Sequence, residues 1–200
     1  MSEQLEKDFL MKLEDFWKSN SKKILAVIAG VVVIFGGYYA YKMYSASQDT
    51  KAQEVMFKAE EYFRMDSFKL ALNGNGKDKG FLYVIKNHGG TKSGNLAKYY
   101  AGICFLQTGD FNKAIENLKD FSSESSPLQM VAYGAIADAY GELDKKDDAI
   151  SYYKKAAGSY TTDDQVGGEY LFRAGQLYEK MNKNKEAVEM YKETKEDRKS

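Results

Sequence analysis

Few residues in this 200-residue chain have the types and spacing that chemistry requires. It holds one histidine, His88, and one cysteine, Cys104. That excludes any mechanism needing two histidines, a Cys-rich metal site and an intramolecular disulfide framework. His88 stands beside Gly89 and Gly90 with no acidic or nucleophilic neighbour at helical spacing, the setting of a turn or cap residue. Cys104 lies between Ile103 and Phe105 in an apolar helical stretch. It reads as a small core residue, because a reactive thiol needs exposure and a nearby positive charge. The glycine-rich segment 73–80 (NGNGKDKG) invites a phosphate-binding reading. A phosphate loop needs Gly-Lys-Ser/Thr opening a helix after a strand, whereas Gly76-Lys77-Asp78 lacks the hydroxyl and follows no strand. The segment is therefore expected to be a solvated loop. Asp147-Asp148 and Asp163-Asp164 are adjacent carboxylates, but they fall at an expected turn and an expected helix start. There Asp satisfies free amides and complements the helix dipole. No zinc, calcium or triad spacing is present. The sequence predicts no enzyme, no cofactor, no metal and no small-molecule substrate.

The elements behind these residues are helices that repeat. Residues 101–121, 136–156 and 174–194 align at offsets of 35 and 38 residues. In each, a small residue (Gly102, Ala137, Gly175) is followed three positions on by an aromatic one (Phe105, Tyr140, Tyr178). A turn follows at Gly109-Asp110, Asp144-Lys145 or Asn182-Lys183. Then come Ala114, Ala149 or Ala187, and four positions later the bulky Leu118, Tyr153 or Tyr191. Paired helices approach closely only where small side chains face each other, and large residues a turn away fill the groove and meet the next pair. This pattern resembles the tetratricopeptide repeat family. The family's usual tryptophan is replaced by Lys98, Tyr133 and Leu171, its proline survives only as Pro127, and Phe121 and Thr194 stand where alanine is typical.

Upstream, residues 50–65 read as a further helix with Val55, Ala59, Tyr62 and Phe63 on one face. The apolar signal continues over 68–72, and a helix over 81–85 stops at Asn87-His88-Gly89-Gly90. These form an expected degenerate first unit whose turn is an insertion, with Ser93 or Asn95 capping the next helix. The chain ends in a charged run over 192–200 with no polar-faced capping helix, so a partner or further chain is expected to cover the last repeat.

The remaining functional surface is the inner wall of this solenoid. Its expected residues are Tyr99, Ile103, Leu106, Asp138, Glu142, Phe172, Gln176 and Glu179, a groove for an extended or helical polypeptide. The lysine and asparagine set with which some members of the family grip a terminal carboxylate is absent.

Residues 24–41 (ILAVIAGVVVIFGGYYAY) carry no charge over 18 positions. At about 1.5 Å per residue they reach roughly 27 Å, close to a bilayer's hydrocarbon thickness. The expected anchor comprises Ile24, Leu25, Val27, Ile28, Val31, Val32, Val33, Ile34 and Phe35, with Tyr38, Tyr39, Tyr41 and Tyr44 at the boundary where it exits. The 23 residues before it balance five acids with five lysines, unlike a cleaved signal, although Ser45-Ala46-Ser47 has the small residues of a cleavage site. Lys18, Lys22 and Lys23 at entry against Lys42 and Lys51 after exit favour a cytoplasmic N-terminus. Gly30, Gly36 and Gly37 are small enough for close helix packing but lack GxxxG spacing. Leu5, Phe9, Leu13, Phe16 and Trp17 recur at helical spacing, describing an amphipathic leader that lies on the inner leaflet or docks a partner. Net charge is zero, with 29 acids and 29 bases, so nucleic acid is not an expected partner.

The sequence thus predicts an all-α protein: one N-terminal transmembrane helix followed by a tetratricopeptide-like helical-hairpin solenoid. Its expected parts are a leader (1–23), a span (24–44), a linker helix with a degenerate first repeat (45–97) and three repeats (98–200). This layout resembles the YfgM-like family of bacterial inner-membrane proteins. The resemblance implies a periplasmic repeat domain and an ancillary role at the SecYEG translocon, meeting periplasmic chaperones or translocating polypeptides. The alternative is a scaffold in another cell-envelope complex for secretion, cell wall or division.

Overall fold

Helices at intervals set by the repeat make up the computed structural model, which describes residues 2–159 and 164–196. Among these the helices are α1 (Ser2–Arg64), α2 (Phe68–Asn73), α3 (Phe81–His88), α4 (Lys92–Gln107), α5 (Phe111–Lys119), α6 (Ser126–Glu142), α7 (Lys146–Gly158), α8 (Asp164–Lys180) and α9 (Asn184–Glu196). The only β contact among the described residues is an isolated bridge between Gly74 and Lys79. Contacts divide the chain into residues 1–47 and 48–200.

In the first unit α1 carries both the leader and the apolar run. Phe9, Leu13, Phe16 and Trp17 are all exposed, and so are Leu25, Val27, Ile28 and Val31 through Phe35, with Val33 at 73 %. Ile24 is partly exposed. The helix is long and apolar enough to cross a membrane, and none of its apolar window is buried by protein. Ser45-Ala46-Ser47 lies within helical backbone rather than in a break.

The second unit is a stack of helical pairs. Helix α4 packs on α5, α6 on α7, and α8 on α9, with α5 meeting α6 and α7 meeting α8. The small-to-large complementarity is visible at atomic distance. A Cβ added at Gly102 would lie 2.5 Å from Leu118 Cγ, and one at Gly175 would lie 2.4 Å from the Tyr191 ring. The core follows from the same positions: Ala114, Ala137, Ala149 and Ala174 are fully buried, beside Leu118, Ile136 and Cys104.

The turns repeat as closely as the helices. Gly109, Asp144 and Asn182 all take positive φ, at 80°, 55° and 58°. After each, the next backbone N–H reaches back to the aromatic residue's carbonyl at 2.9 Å: Asp110 to Phe105, Lys145 to Tyr140, Lys183 to Tyr178. Glycine, Asp and Asn are the residues that tolerate this left-handed position.

The same device occurs once more, upstream. Asp66 has φ 55°, and Ser67 N–H donates to Tyr62 O at 2.9 Å. Ala59 and Ala71, both fully buried, take the small positions on either side. The first repeat therefore has a normal turn, and the loop expected over 73–80 is not that turn. It interrupts the second helix, separating α2 from α3 by residues 74–80. That loop is ordered by its own polar groups. Asn75 Oδ1 accepts from the Lys77 and Asp78 amides at 3.0 and 2.7 Å, and the Tyr62 hydroxyl donates to Asp78 Oδ2 at 2.9 Å. Gly80 is required because a Cβ there would meet Leu72 O at 2.2 Å.

The cap of α4 also differs from expectation. Thr91, rather than Ser93 or Asn95, is the N-cap, accepting from Gly94 N–H at 3.0 Å. The Ser93 amide is taken at 2.8 Å by Asp49 of α1, and Asn95 instead exchanges hydrogen bonds with the Ser122 backbone.

Candidate functional site

A cleft of about 610 Å³ opens among the C-terminal ends of α4, α6 and α8. Leu106, Gln107, Gly109 and Phe111 form one wall; Asp138, Gly141 and Glu142 line it from α6; Arg173, Leu177 and Lys180 face it from α8, with Tyr153 at its base. The repeat creates this geometry: the α4, α6 and α8 helices stack side by side, so their equivalent ends converge.

Asp138 is the polar centre. It accepts the Tyr153 hydroxyl at 2.5 Å and the Arg173 guanidinium at 3.3 Å. Arg173 Nε also donates to Glu169 at 3.0 Å, so one guanidinium serves two carboxylates. Burial pushes the Tyr153 phenol well above its ordinary range, and donation to the Asp138 carboxylate adds to the shift. Tyr153 was legible only as a bulky packing residue, yet its hydroxyl ties α7 to α6 while Arg173 ties α6 to α8. The Tyr170 ring stacks near Tyr153 at 6.2 Å and occupies the space a side chain at Gly134 would need.

Three expected groove residues, Leu106, Asp138 and Glu142, line the cleft. Tyr99 is half-buried, its ring 5.4 Å from Phe121 and 5.5 Å from Tyr100, and Ile103 packs against the core. Phe172, Gln176 and Glu179 are exposed on α8, each one position before the lining residues Arg173, Leu177 and Lys180. Phe172 lies instead 5.5 Å from the Tyr191 ring, and Glu179 pairs with the Tyr191 hydroxyl. One position is about 100° of helix, which moves a side chain from the cleft to the α9 side.

The other candidates are placed as follows. Cys104 is fully buried, and burial pushes its thiol up to about 12. His88 closes α3, and its carbonyl accepts from the Thr91 amide and hydroxyl. Asp147 and Asp148 stand exposed in the first turn of α7, where Asp147 pairs with Lys183 at 3.1 Å. Asp163 and residues 197–200 lie outside the described residues. Among the described residues no three His, Cys, Asp or Glu side chains converge as a metal site.

These helical pairs, their left-handed turns and the open cleft define a helical-repeat scaffold, a class that ordinarily serves as a non-enzymatic surface for binding other proteins. The sequence matches the model of the tetratricopeptide repeat-like domain family over residues 14–200, and the chain belongs to that family. It is similar in fold to the solved MamA RS-1 ArsTM double mutant, with a TM-score of 0.57 and 14 % identity, covering 88 % of this chain and 93 % of that one. No curated protein matches the sequence.

Proposed function

We propose that this protein is a membrane-anchored, non-enzymatic interaction subunit of the bacterial inner membrane. Its N-terminus is cytoplasmic and its repeat domain periplasmic. In this reading it is ancillary to the SecYEG translocon and uses the repeat cleft to meet translocating polypeptides or periplasmic chaperones. The observation that carries the reading is the presence, in one chain, of a span-length apolar helix that no protein buries and of a repeat unit with an open cleft. An exposed apolar helix of that length is costly in water and at home in lipid. The family match begins at residue 14, so it takes in the apolar run as well as the repeats. The translocon itself rests on the architectural resemblance to the YfgM-like family.

The mechanism is passive. The anchor raises the local concentration of the cleft at the membrane surface, and the cleft supplies exchangeable contacts. A pull-down in mild detergent through a C-terminal tag, with co-purifying proteins identified by mass spectrometry, tests it. Translocon subunits in stable ratio support the reading. Their absence, with another envelope complex enriched, replaces it with a scaffold of that complex.

A further inference from the structure

We infer that the cleft takes a polypeptide segment in which a basic side chain stands beside an apolar one. The inference rests on the groove reading above and names the chemistry of its occupant. Leu106, Phe111 and Leu177 offer the apolar surface. The cleft's charged groups are Asp138, Glu142, Arg173 and Lys180. Arg173 is already held between Asp138 and Glu169. Lys180 falls in the last turn of α8, where the negative end of that helix offsets its charge.

Glu142 has no such compensation. It is exposed, and no hydrogen bond or ion pair joins it to any described residue. It is also the last residue of α6, so its carboxylate sits at the helix end that repels an anion. A residue that breaks a local rule without a structural return is the kind expected at a binding surface. With α4 and α6 both turning their negative ends toward the same cleft, the uncompensated potential there favours a cation. An apolar residue on the floor would place a neighbouring lysine or arginine against Glu142.

Short synthetic peptides of matched apolar content, bearing lysine, no charge or glutamate, provide the test. Binding is measured to the full-length protein in zwitterionic nanodiscs, so that lipid does not capture the basic set. Basic peptides should bind best. Glu142→Gln should weaken them roughly two- to fivefold, the worth of one exposed charge pair. Glu142→Lys should reverse the preference toward acidic peptides. Without peptide, Glu142→Gln should raise the melting temperature by about 1–4 °C, as removal of a misplaced helix-end charge does. The inference is overturned if neutral or acidic peptides bind the parent as well as basic ones, if Glu142→Lys keeps the basic preference, or if Glu142→Gln melts lower. Failure of every peptide class to bind overturns the groove reading itself.

Discussion

Gly102→Ala is the substitution that most directly interrogates how the helical pairs close. The added methyl would stand 2.5 Å from Leu118 Cγ, 2.9 Å from its Cδ2 and 3.3 Å from Ala114 O. Leu118 is 1 % exposed, so it has little room to retreat. Overpacking of this kind costs about 1–3 kcal/mol. Against it stands the helix preference for alanine over glycine, about 1 kcal/mol. The net expectation is a loss of up to about 2 kcal/mol. Gly141→Ala is the control, since Gly141 also lies in a helix and a Cβ there meets nothing within 4 Å. That variant should gain about 0.4–1 kcal/mol. Much of the propensity gain is shared by the two, so their difference chiefly reports the packing cost. Urea unfolding of the full chain in detergent, followed by far-UV circular dichroism, reads both. On the Gly102→Ala background, Leu118→Ala should cost less than the 2–5 kcal/mol expected of it alone, because the truncation also relieves the clash. Equal stabilisation by the two alanines, or additivity with Leu118→Ala, would refute the claim that Gly102 is the point of closest approach in its pair.

Three further expectations follow from named contacts. Asp49→Ala should destabilise the protein by about 1 kcal/mol at neutral pH, since it strips the acceptor from the Ser93 amide in the first turn of α4. Burial raises the Asp49 carboxyl, but the Ser93 amide, the Ser93 and Thr91 hydroxyls and the charge of Lys92 together hold it below its ordinary 3.8. Such a group stabilises above its unfolded value and loses that contribution as pH falls through the folded one. The gap between parent and variant should therefore close in urea titrations taken below pH 3.8, and a gap independent of pH would contradict the assignment. Tyr153→Phe should cost about 1 kcal/mol by removing the Asp138 partner, with Arg173→Met non-additive on top of it, and a double-mutant cycle with no coupling would count against a shared cluster. Cys104 should resist iodoacetamide at pH 8 until the protein unfolds, its thiol being fully buried and raised to about 12, whereas rapid labelling of the native chain would show that α4 opens locally.

What was legible in the sequence was what packing dictates. Small, aromatic and bulky positions alternate because a helical pair cannot close otherwise, so Gly102, Phe105, Ala114 and Leu118 announced their pair before any coordinate did. The first unit was harder. Its small and aromatic residues, Ala59 and Tyr62, sit at the same spacing, but the loop-like composition of 73–80 masks Asp66 as the counterpart of Gly109, Asp144 and Asn182. The glycines of 73–80 drew the turn toward themselves, although the composition of a loop does not say whether it joins two helices or splits one. The shared tolerance of glycine, Asp and Asn for positive φ was the signal that could have placed it. Asp49 as acceptor for the Ser93 amide had no local signal at all, since the two are 44 residues apart.

The cleft follows a different logic from the core. A core position restricts residue type, so sequence betrays it; a lining position restricts only direction, and direction depends on helix phase. On α6 the phase is fixed by the alanines at 132, 135, 137 and 139, all buried, which leaves Asp138 and Glu142 no other face. On α8 the internal markers are sparser: Leu171 and Ala174 are buried, while exposed Phe172 reads as apolar and draws the inner face one position early. Arg173, Leu177 and Lys180 are thereby hidden in the sequence, the more so because two of the three are charged residues of the kind usually assigned to solvent. Their recovery depends on Asp138, whose carboxylate finds its partner on the equivalent helix of the next repeat at Arg173, 35 residues along the chain and one turn before its own counterpart, Gln176. Such a cleft is thus best sought from polar pairs on equivalent helices of neighbouring repeats, about one helical turn short of the repeat length, because the stacking of those helices brings such residues together.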